Sequence, residues 1–180
     1  MIGAVLVTQG TIVGERQSGT AAWILTKPTT RTAFILTKLV AIAGSFLLLS
    51  LAIPAVTSLA ICQVVLHALP DVLGFVEAIG ILALHQLFYI SLTLMLGTLF
   101  RERGPVAGIA LGFWIAGNLL PHFLPQWLVT LTPWSLAPAA EGLAIGKPAT
   151  TELATSVLAT AVTTMLWIGV ALWRFEREEF

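Results

Sequence analysis

The chain has 180 residues, of which 57% are hydrophobic and only 10% are charged, and its mean hydropathy is +0.94. Soluble domains carry about a quarter charged residues, so this composition excludes a water-soluble globular protein and indicates an integral membrane protein. Nine basic and nine acidic residues cancel, so the net charge gives no reason to expect nucleic acid as a partner. The single cysteine, Cys62, excludes an internal disulfide.

The chain begins with an apolar stretch, residues 1–13, which as a helix would reach only about 20 Å. The hydrocarbon core of a bilayer is about 30 Å thick, so this stretch is predicted to be a partial span. Either the chain is the C-terminal part of a longer protein, which we favour, or another subunit covers this stretch. The next segment, 14–32, is polar at first and apolar from Ala21 to Leu25, and Pro28 is expected to end the helix within it. It is predicted to form a short helix at the headgroup level.

Four full spans are predicted after that segment. Leu39 to Pro70 carries no charge and would make roughly 48 Å of continuous helix, more than a bilayer needs. Pro54 is therefore expected to kink or break this helix, and the first span is expected to end near Val56. The four predicted spans are 33–56, 73–100, 104–120 and 153–173.

Residues 121–151 are predicted to lie in the outer interface rather than to cross the bilayer. The segment contains five prolines, which are too many for one membrane-spanning helix, and its Trp127 and Trp134 suit the headgroup region. We expect one or two short helices here. The whole chain, 1–180, is thus predicted to be one all-α polytopic membrane domain with four full spans and a partial N-terminal span.

Basic residues fall in alternate loops, and this pattern predicts the orientation of the chain. The loops on one side carry Arg16, Lys27, Arg31 and Lys38, then Arg101 and Arg103, then Arg174 and Arg177. The two opposite loops carry only Lys147. Because positively charged loops stay in the cytoplasm, the C-terminus is predicted to be cytoplasmic and the membrane to be the cytoplasmic (inner) one.

Several short motifs follow one another along the N-terminal part of the chain. They are, in order, an acidic-basic pair, a Gly-Thr, a Pro, an Arg and a Lys. The residues are Ile12 to Thr20 (IVGERQSGT), Leu25, Pro28, Arg31, Leu36 and Lys38, followed further along the chain by the turn Arg101-Glu102-Arg103, Pro125 and Thr132-Pro133. This pattern resembles the permease subunits of type-2 ABC exporters. The resemblance implies six spans with both ends in the cytoplasm. The chain departs from that plan because it lacks the first span and part of the second.

The resemblance implies that residues 14–25 form a cytoplasmic coupling helix that docks on a separate ATPase subunit. The implied contact residues are Glu15, Arg16, Gln17, Ser18, Gly19 and Thr20. The chain has no G-x-x-x-x-G-K-[ST] motif, so ATP and magnesium are expected on the partner ATPase, and no cofactor is expected in this chain. The other implied partners are membrane lipid and a second permease subunit, identical or different. The alternative is that Glu15 and Arg16 are charges that solvate a cytoplasmic loop.

Two ionisable residues of the predicted span 73–100, Glu77 and His85, form a candidate intramembrane polar site. Placing an ionisable side chain inside a bilayer costs free energy, and such residues are often functional. Eight residues separate them, so they lie on loosely similar faces of a helix. The alternative is that Glu77 is hydrated near the outer end of the span and that His85 bonds a neighbouring helix. No catalytic or metal-binding motif is found in the sequence.

A stripe of small residues spaced four apart lies on the predicted span 104–120. Its members are Gly104, Gly108, Gly112 and Ala116. This spacing predicts close packing against another helix, either within the subunit or at a dimer interface.

The residues and the resemblance together predict the membrane-spanning permease of an ATP-driven exporter, which is not itself an enzyme. Two alternatives stay open: an intramembrane enzyme or proton carrier that uses Glu77 and His85, and a non-transporting scaffold or degenerate permease fragment. A path lined by threonine, alanine and leucine suits lipids, drugs and peptides alike, so the sequence does not select a substrate.

Overall fold

The structure is a computed structural model that describes Gly3, Val5, Leu6, Thr8 and the ranges 31–67, 71–100 and 102–177. Four helices within these residues are long and apolar enough to cross a membrane: Leu36–Val65, Val72–Leu99, Arg103–His122 and Thr151–Glu176. The same residues contain no β-strand. The predicted fold class, an all-α polytopic membrane protein, is thereby confirmed. Of the predicted coupling segment, 14–32, the part up to Thr30 lies outside the described residues.

The first membrane-capable helix is built from four consecutive elements. It begins with α1 (Arg31–Leu47), continues through a π-helical turn (Leu48–Ala52) into α2 (Ile53–Ile61), and ends in a second π-helical turn (Cys62–Leu66). His67 follows in the left-handed region, with φ of 50°, and this stops the helix.

The chain does not break at Pro54, and the helix continues beyond Val56 to Leu66. A proline inside an α-helix clashes with the carbonyl four residues earlier, here that of Ser50. The π-helical turn over Leu48–Ala52 widens the backbone just before the proline, and the amide of Ile53 donates to the carbonyl of Leu48 instead. The helix therefore continues through Pro54 without a break. That the membrane-spanning part ends near Val56 stays a prediction.

Three more long helices follow, separated by short elements. They are α3 (Val72–Leu99), α4 (Arg103–Leu119) and α7 (Thr151–Glu176). Between α4 and α7 lie a 3₁₀ turn (Leu120–His122), α5 (Gln126–Thr130), a second 3₁₀ turn (Pro133–Ser135) and α6 (Leu136–Ala144). The broken segment 121–151 thus contains two short α-helices, and its place in the outer interface stays a prediction.

Asp71 fixes the start of α3. Its side-chain Oδ2 accepts a hydrogen bond of 2.9 Å from the amide of Gly74, and its carbonyl accepts one of 3.0 Å from the amide of Phe75. Aspartate is a favoured N-cap because its carboxylate satisfies an amide that has no helical partner. Asp71 therefore serves as the residue on which α3 begins.

Two compact units make up the chain, and the first consists of residues 1–43, 87–117 and 163–180. Its core is rich in large side chains, notably Phe88, Tyr89, Leu94 and Phe175, which are all at most 3% exposed. The ring centroid of Phe88 lies 5.5 Å from that of Tyr89 and 5.7 Å from that of Phe113. Aromatic pairs at these separations add to the stabilisation that burial provides.

The second unit consists of residues 44–86 and 118–162. Its core is built from smaller or aliphatic residues: Ala78 and Ile81 of α3 with Leu136, Ala140 and Leu143 of α6. The two helices approach closely at Gly74, where an added Cβ would lie only 2.6 Å from the carbonyl oxygen of Leu143. Glycine at this position is what lets α3 reach the backbone of α6.

Candidate functional site

The polar residues of α3 that the sequence singles out lie in different environments. Glu77 is exposed and lines a groove in unit 2, whereas His85 is buried and is not among the residues that line that groove. At 1.5 Å per residue, about 12 Å of helix axis separates them. The structure therefore does not bring Glu77 and His85 together at one ligand position, and their role as a shared polar site stays a prediction.

The groove that contains Glu77, here called the Glu77 groove, has a volume of about 370 Å³. One wall is a face of α3 that includes Gly80, Ile81 and Leu84. The rest is formed by Leu143 at the end of α6, by Ala149 and Thr150, and by the first two turns of α7. All of these residues belong to unit 2. Among the described lining residues, only Glu77 and Thr150 have polar side chains.

A second groove of about 220 Å³ lies on the opposite side of the contact between α3 and α6. It is lined by Ser50 and Ser58 of the first helix, by Ala78 and Leu82 of α3, and by Glu141 of α6. It is called the Ser50 groove below. The two grooves use alternate faces of α3, so the α3–α6 core separates them.

The Ser50 hydroxyl donates a hydrogen bond of 2.7 Å to Oε1 of Gln86, which is 3% exposed. Ser50 lies in the π-helical turn before Pro54, so the widened turn carries the donor of this interhelical bond. Hydrogen bonds between helices stabilise membrane proteins because a polar side chain finds few other partners in hydrocarbon. This pair was not predicted from the sequence. The only indication in the sequence is that a polar serine and a polar glutamine occur in two different predicted spans.

A second polar contact joins the N-terminal part of α7 to the segment that precedes α6. The Ser135 hydroxyl donates a hydrogen bond of 2.9 Å to Oγ of Ser156, which is 2% exposed and in turn donates to the carbonyl of Glu152. The amide of Leu153 donates to the Thr150 hydroxyl, which caps α7. The wall of the Glu77 groove that α7 provides is therefore held in place by hydrogen bonds.

The small-residue stripe of α4 is open among the described residues. An added Cβ at Gly104, Gly108 or Gly112 would meet no atom of the described chain within 4 Å. The buried side chains of α4 are Val106 and Ala110, which lie on a different face. Helix packing at the stripe stays a prediction, and the described part of the chain provides no helix that fills it.

The predicted ATPase contacts, Glu15 to Thr20, lie outside the described residues, so the structure gives no geometry for them. Among the residues that it does describe, no group of three or more His, Cys, Asp or Glu side chains could hold a metal ion.

Comparisons with known proteins bear on the whole chain. A family model described as "Protein of unknown function (DUF2705)" matches residues 1–180. The chain is also similar to the probable ABC transporter permease protein NosY of Pseudomonas aeruginosa. The identity is 30% over 201 aligned residues, which cover 94% of this chain and 70% of that protein. With four membrane-capable helices and this similarity over nearly its full length, the chain belongs to the DUF2705 family and to the ABC transporter permeases.

Proposed function

We propose that this chain is the membrane-spanning permease subunit of an ATP-driven type-2 ABC exporter. The observation that carries the proposal is the 30% identity to a probable ABC transporter permease over 94% of the chain. The basic loops alternate along the sequence in a way that fits a multi-pass protein with a cytoplasmic C-terminus in the inner membrane. The resemblance of the polar motifs to type-2 exporters selects that class among ABC permeases.

Energy enters the permease from another chain in this proposal. The sequence has no phosphate-binding motif for ATP, so ATP and magnesium belong to a separate ATPase subunit. Residues 14–25 dock on that subunit, with Glu15 and Arg16 as the charged contacts and Gly19 at the point of closest backbone approach. Closure of two ATPase subunits around ATP then moves the docked segments and, with them, the helices that they precede.

A second permease subunit completes the transport path in this proposal. The membrane-capable helices differ widely in burial: most of the apolar part of α3 is buried, whereas Leu36–Val65, Arg103–His122 and α7 are largely exposed among the described residues. Three of the four helices therefore present large apolar surfaces to lipid or to a partner. The open stripe of α4 is a surface of the kind that another helix packs against closely.

The experiment that tests the proposal is affinity purification of the tagged full chain in a mild detergent, followed by mass spectrometry. We expect an ABC ATPase subunit to co-purify with the wild-type chain. The double substitution Glu15→Ala and Arg16→Ala should release it, because these residues supply the charged contacts of the docking segment.

The matched control is Glu102→Ala with Arg103→Ala, which removes another adjacent acidic-basic pair from a predicted cytoplasmic turn. This variant should retain the ATPase. If the folded and inserted wild-type chain captures no ATPase, the proposal is wrong. If both double variants release it equally, the docking function does not belong to residues 14–25.

A further inference from the structure

We propose that the Glu77 groove binds a small amphiphilic cation, a molecule with an apolar body and one ammonium group. The site lies wholly within unit 2, on residues of α3, α6 and α7 together with Ala149 and Thr150. This proposal is separate from the docking of residues 14–25, and its test needs no ATPase subunit.

The groove has the size and lining of a ligand site. Its volume of about 370 Å³ falls within the range of about 300–1,000 Å³ that small-molecule pockets occupy. Ile81, Leu84, Leu153 and Val157 give it an apolar surface, and only two lining side chains are polar. Gly80 leaves open space where any larger side chain would project, since an added Cβ there meets nothing within 4 Å. The apolar body of a ligand would occupy this space.

Glu77 supplies the charge that selects the ligand. Among the residues that the structure describes, its side chain forms no hydrogen bond or ion pair, and it is the one charged residue of the groove lining. An ionised carboxylate only accepts hydrogen bonds, so the complementary group is a donor with positive charge, for which an ammonium is the simplest choice.

The charges of unit 2 favour the same sign of ligand. Its segments 44–86 and 118–162 contain four acidic residues, Asp71, Glu77, Glu141 and Glu152, and a single lysine, Lys147. The stem of Lys147 packs beside Gly142 of α6, since an added Cβ on that glycine would lie 3.5 Å from the lysine Cδ. An anionic ligand would therefore approach a surface that repels it, and a cation would be attracted.

One feature of the groove favours anions, and its effect is limited. The N-terminus of α7 borders the groove through Thr150, Leu153 and Ala154, and helix N-termini carry partial positive charge. Glu152 lies in that first turn, and the Thr150 hydroxyl already accepts from the amide of Leu153. Both features offset the positive end of the helix, so the full charge of Glu77 decides the preference.

The test uses the purified full chain in neutral maltoside micelles, with ligand binding measured by saturation-transfer NMR. The probes are phenylbutylamine, phenylbutanol and phenylbutanoate, which share one apolar body and differ in charge, and empty micelles give the background. We expect the amine to bind more tightly than the alcohol, and the carboxylate to bind most weakly. Glu77→Gln should weaken amine binding about fivefold, the effect of losing one partly exposed charge pair.

Two matched variants separate the groove from the general acidity of the unit. Glu141→Gln removes a carboxylate from the same unit but from the Ser50 groove, and it should leave amine binding unchanged. Gly80→Leu fills the Glu77 groove and should weaken all three probes, whereas Gly44→Leu, at an open position outside the groove, should not. Equal binding of the three probes to wild type overturns the proposal. So does amine binding that survives both Glu77→Gln and Gly80→Leu.

Discussion

The described residues of the two units show different kinds of contact. Unit 1 contains a cluster of large buried side chains, with the rings of Phe88, Tyr89 and Phe113 within about 6 Å of one another. Among its described residues, unit 2 has a core of smaller or aliphatic side chains, a close backbone approach at Gly74, hydrogen bonds between side chains distant in sequence, and the two grooves described above. Large rings fill the space between helices, whereas a glycine lets two helix backbones approach closely.

The difference matters because lipid changes the balance of forces. In water, burial of apolar area dominates stability, but lipid tails cover apolar surface about as well as protein does. Shape complementarity, close backbone approach and hydrogen bonds therefore carry more of the specificity in a membrane. The described contacts of unit 1 provide a test of the first of these, and those of unit 2 provide tests of the other two.

The largest effect is expected in the aromatic cluster of unit 1. Phe88→Ala should destabilise the chain by about 3 kcal/mol, the lower end of the loss for a buried phenylalanine, because lipid reduces the transfer component but the cavity remains. Equilibrium unfolding in mixed micelles measures this change. The control is Phe123→Ala, whose side chain is 83% exposed and should be nearly neutral. If the two variants lose the same free energy of unfolding, Phe88 contributes no more through its packing in the cluster than the exposed Phe123 does.

The next effect is expected where α3 meets α6 in unit 2. Gly74→Ala places a methyl group 2.6 Å from the Leu143 carbonyl oxygen, a backbone atom that also accepts from the amide of Gly146. The displacement should cost about 2 kcal/mol in the same unfolding measurement, typical of overpacking.

Gly80→Ala is the matched control for Gly74→Ala on the same helix. Because its added Cβ meets nothing within 4 Å, alanine there should be neutral or stabilising by up to about 1 kcal/mol through its higher helix propensity. If Gly74→Ala behaves like Gly80→Ala, then α3 and α6 do not approach as closely as the structure shows.

The smallest effect is expected for the hydrogen bond between Ser50 and Gln86. A double-mutant cycle with Ser50→Ala and Gln86→Leu should give a coupling energy of about 1 kcal/mol, near the upper part of the range for polar pairs between membrane helices. The cycle is calculated from the free energies of unfolding of the wild type, the two single variants and the double variant. A coupling energy near zero would mean that the bond of 2.7 Å adds nothing to unit 2.

The sequence predicted the helices well and their interior details poorly. Hydrophobic length alone locates the four membrane-capable helices, because roughly 20 apolar residues are needed to cross a bilayer. The helix does not break at Pro54, one of the two outcomes expected there, because a π-helical turn accommodates the proline and no residue pattern predicts such a turn. The other outcome, a kink, stays a prediction. Gly74 also has an ordinary sequence context. Its role depends on which helix lies opposite, and that is decided by tertiary packing.

For the candidate sites too, the sequence indicated individual residues but not their surroundings. Sequence singled out Glu77 because a charge in a span is rare, and the structure places it in an apolar groove. The groove itself was not predictable, since one of its walls comes from α3 and the rest from α6 and α7, which lie far from α3 in sequence. His85 was paired with Glu77 on helix periodicity, which ignores the separation along the axis. The stripe at Gly104, Gly108 and Gly112 was predicted from spacing, and its partner is still to be found.

The central claim is that this chain is a permease driven by a separate ATPase, and magnesium-dependent ATP hydrolysis by the affinity-purified chain tests it most directly. The chain has no G-x-x-x-x-G-K-[ST] motif, so hydrolysis is expected to come from a captured partner. We predict that hydrolysis accompanies the wild-type chain, persists with Glu102→Ala and Arg103→Ala, and falls to background with Glu15→Ala and Arg16→Ala. Absence of hydrolysis from a folded wild-type preparation would contradict the account.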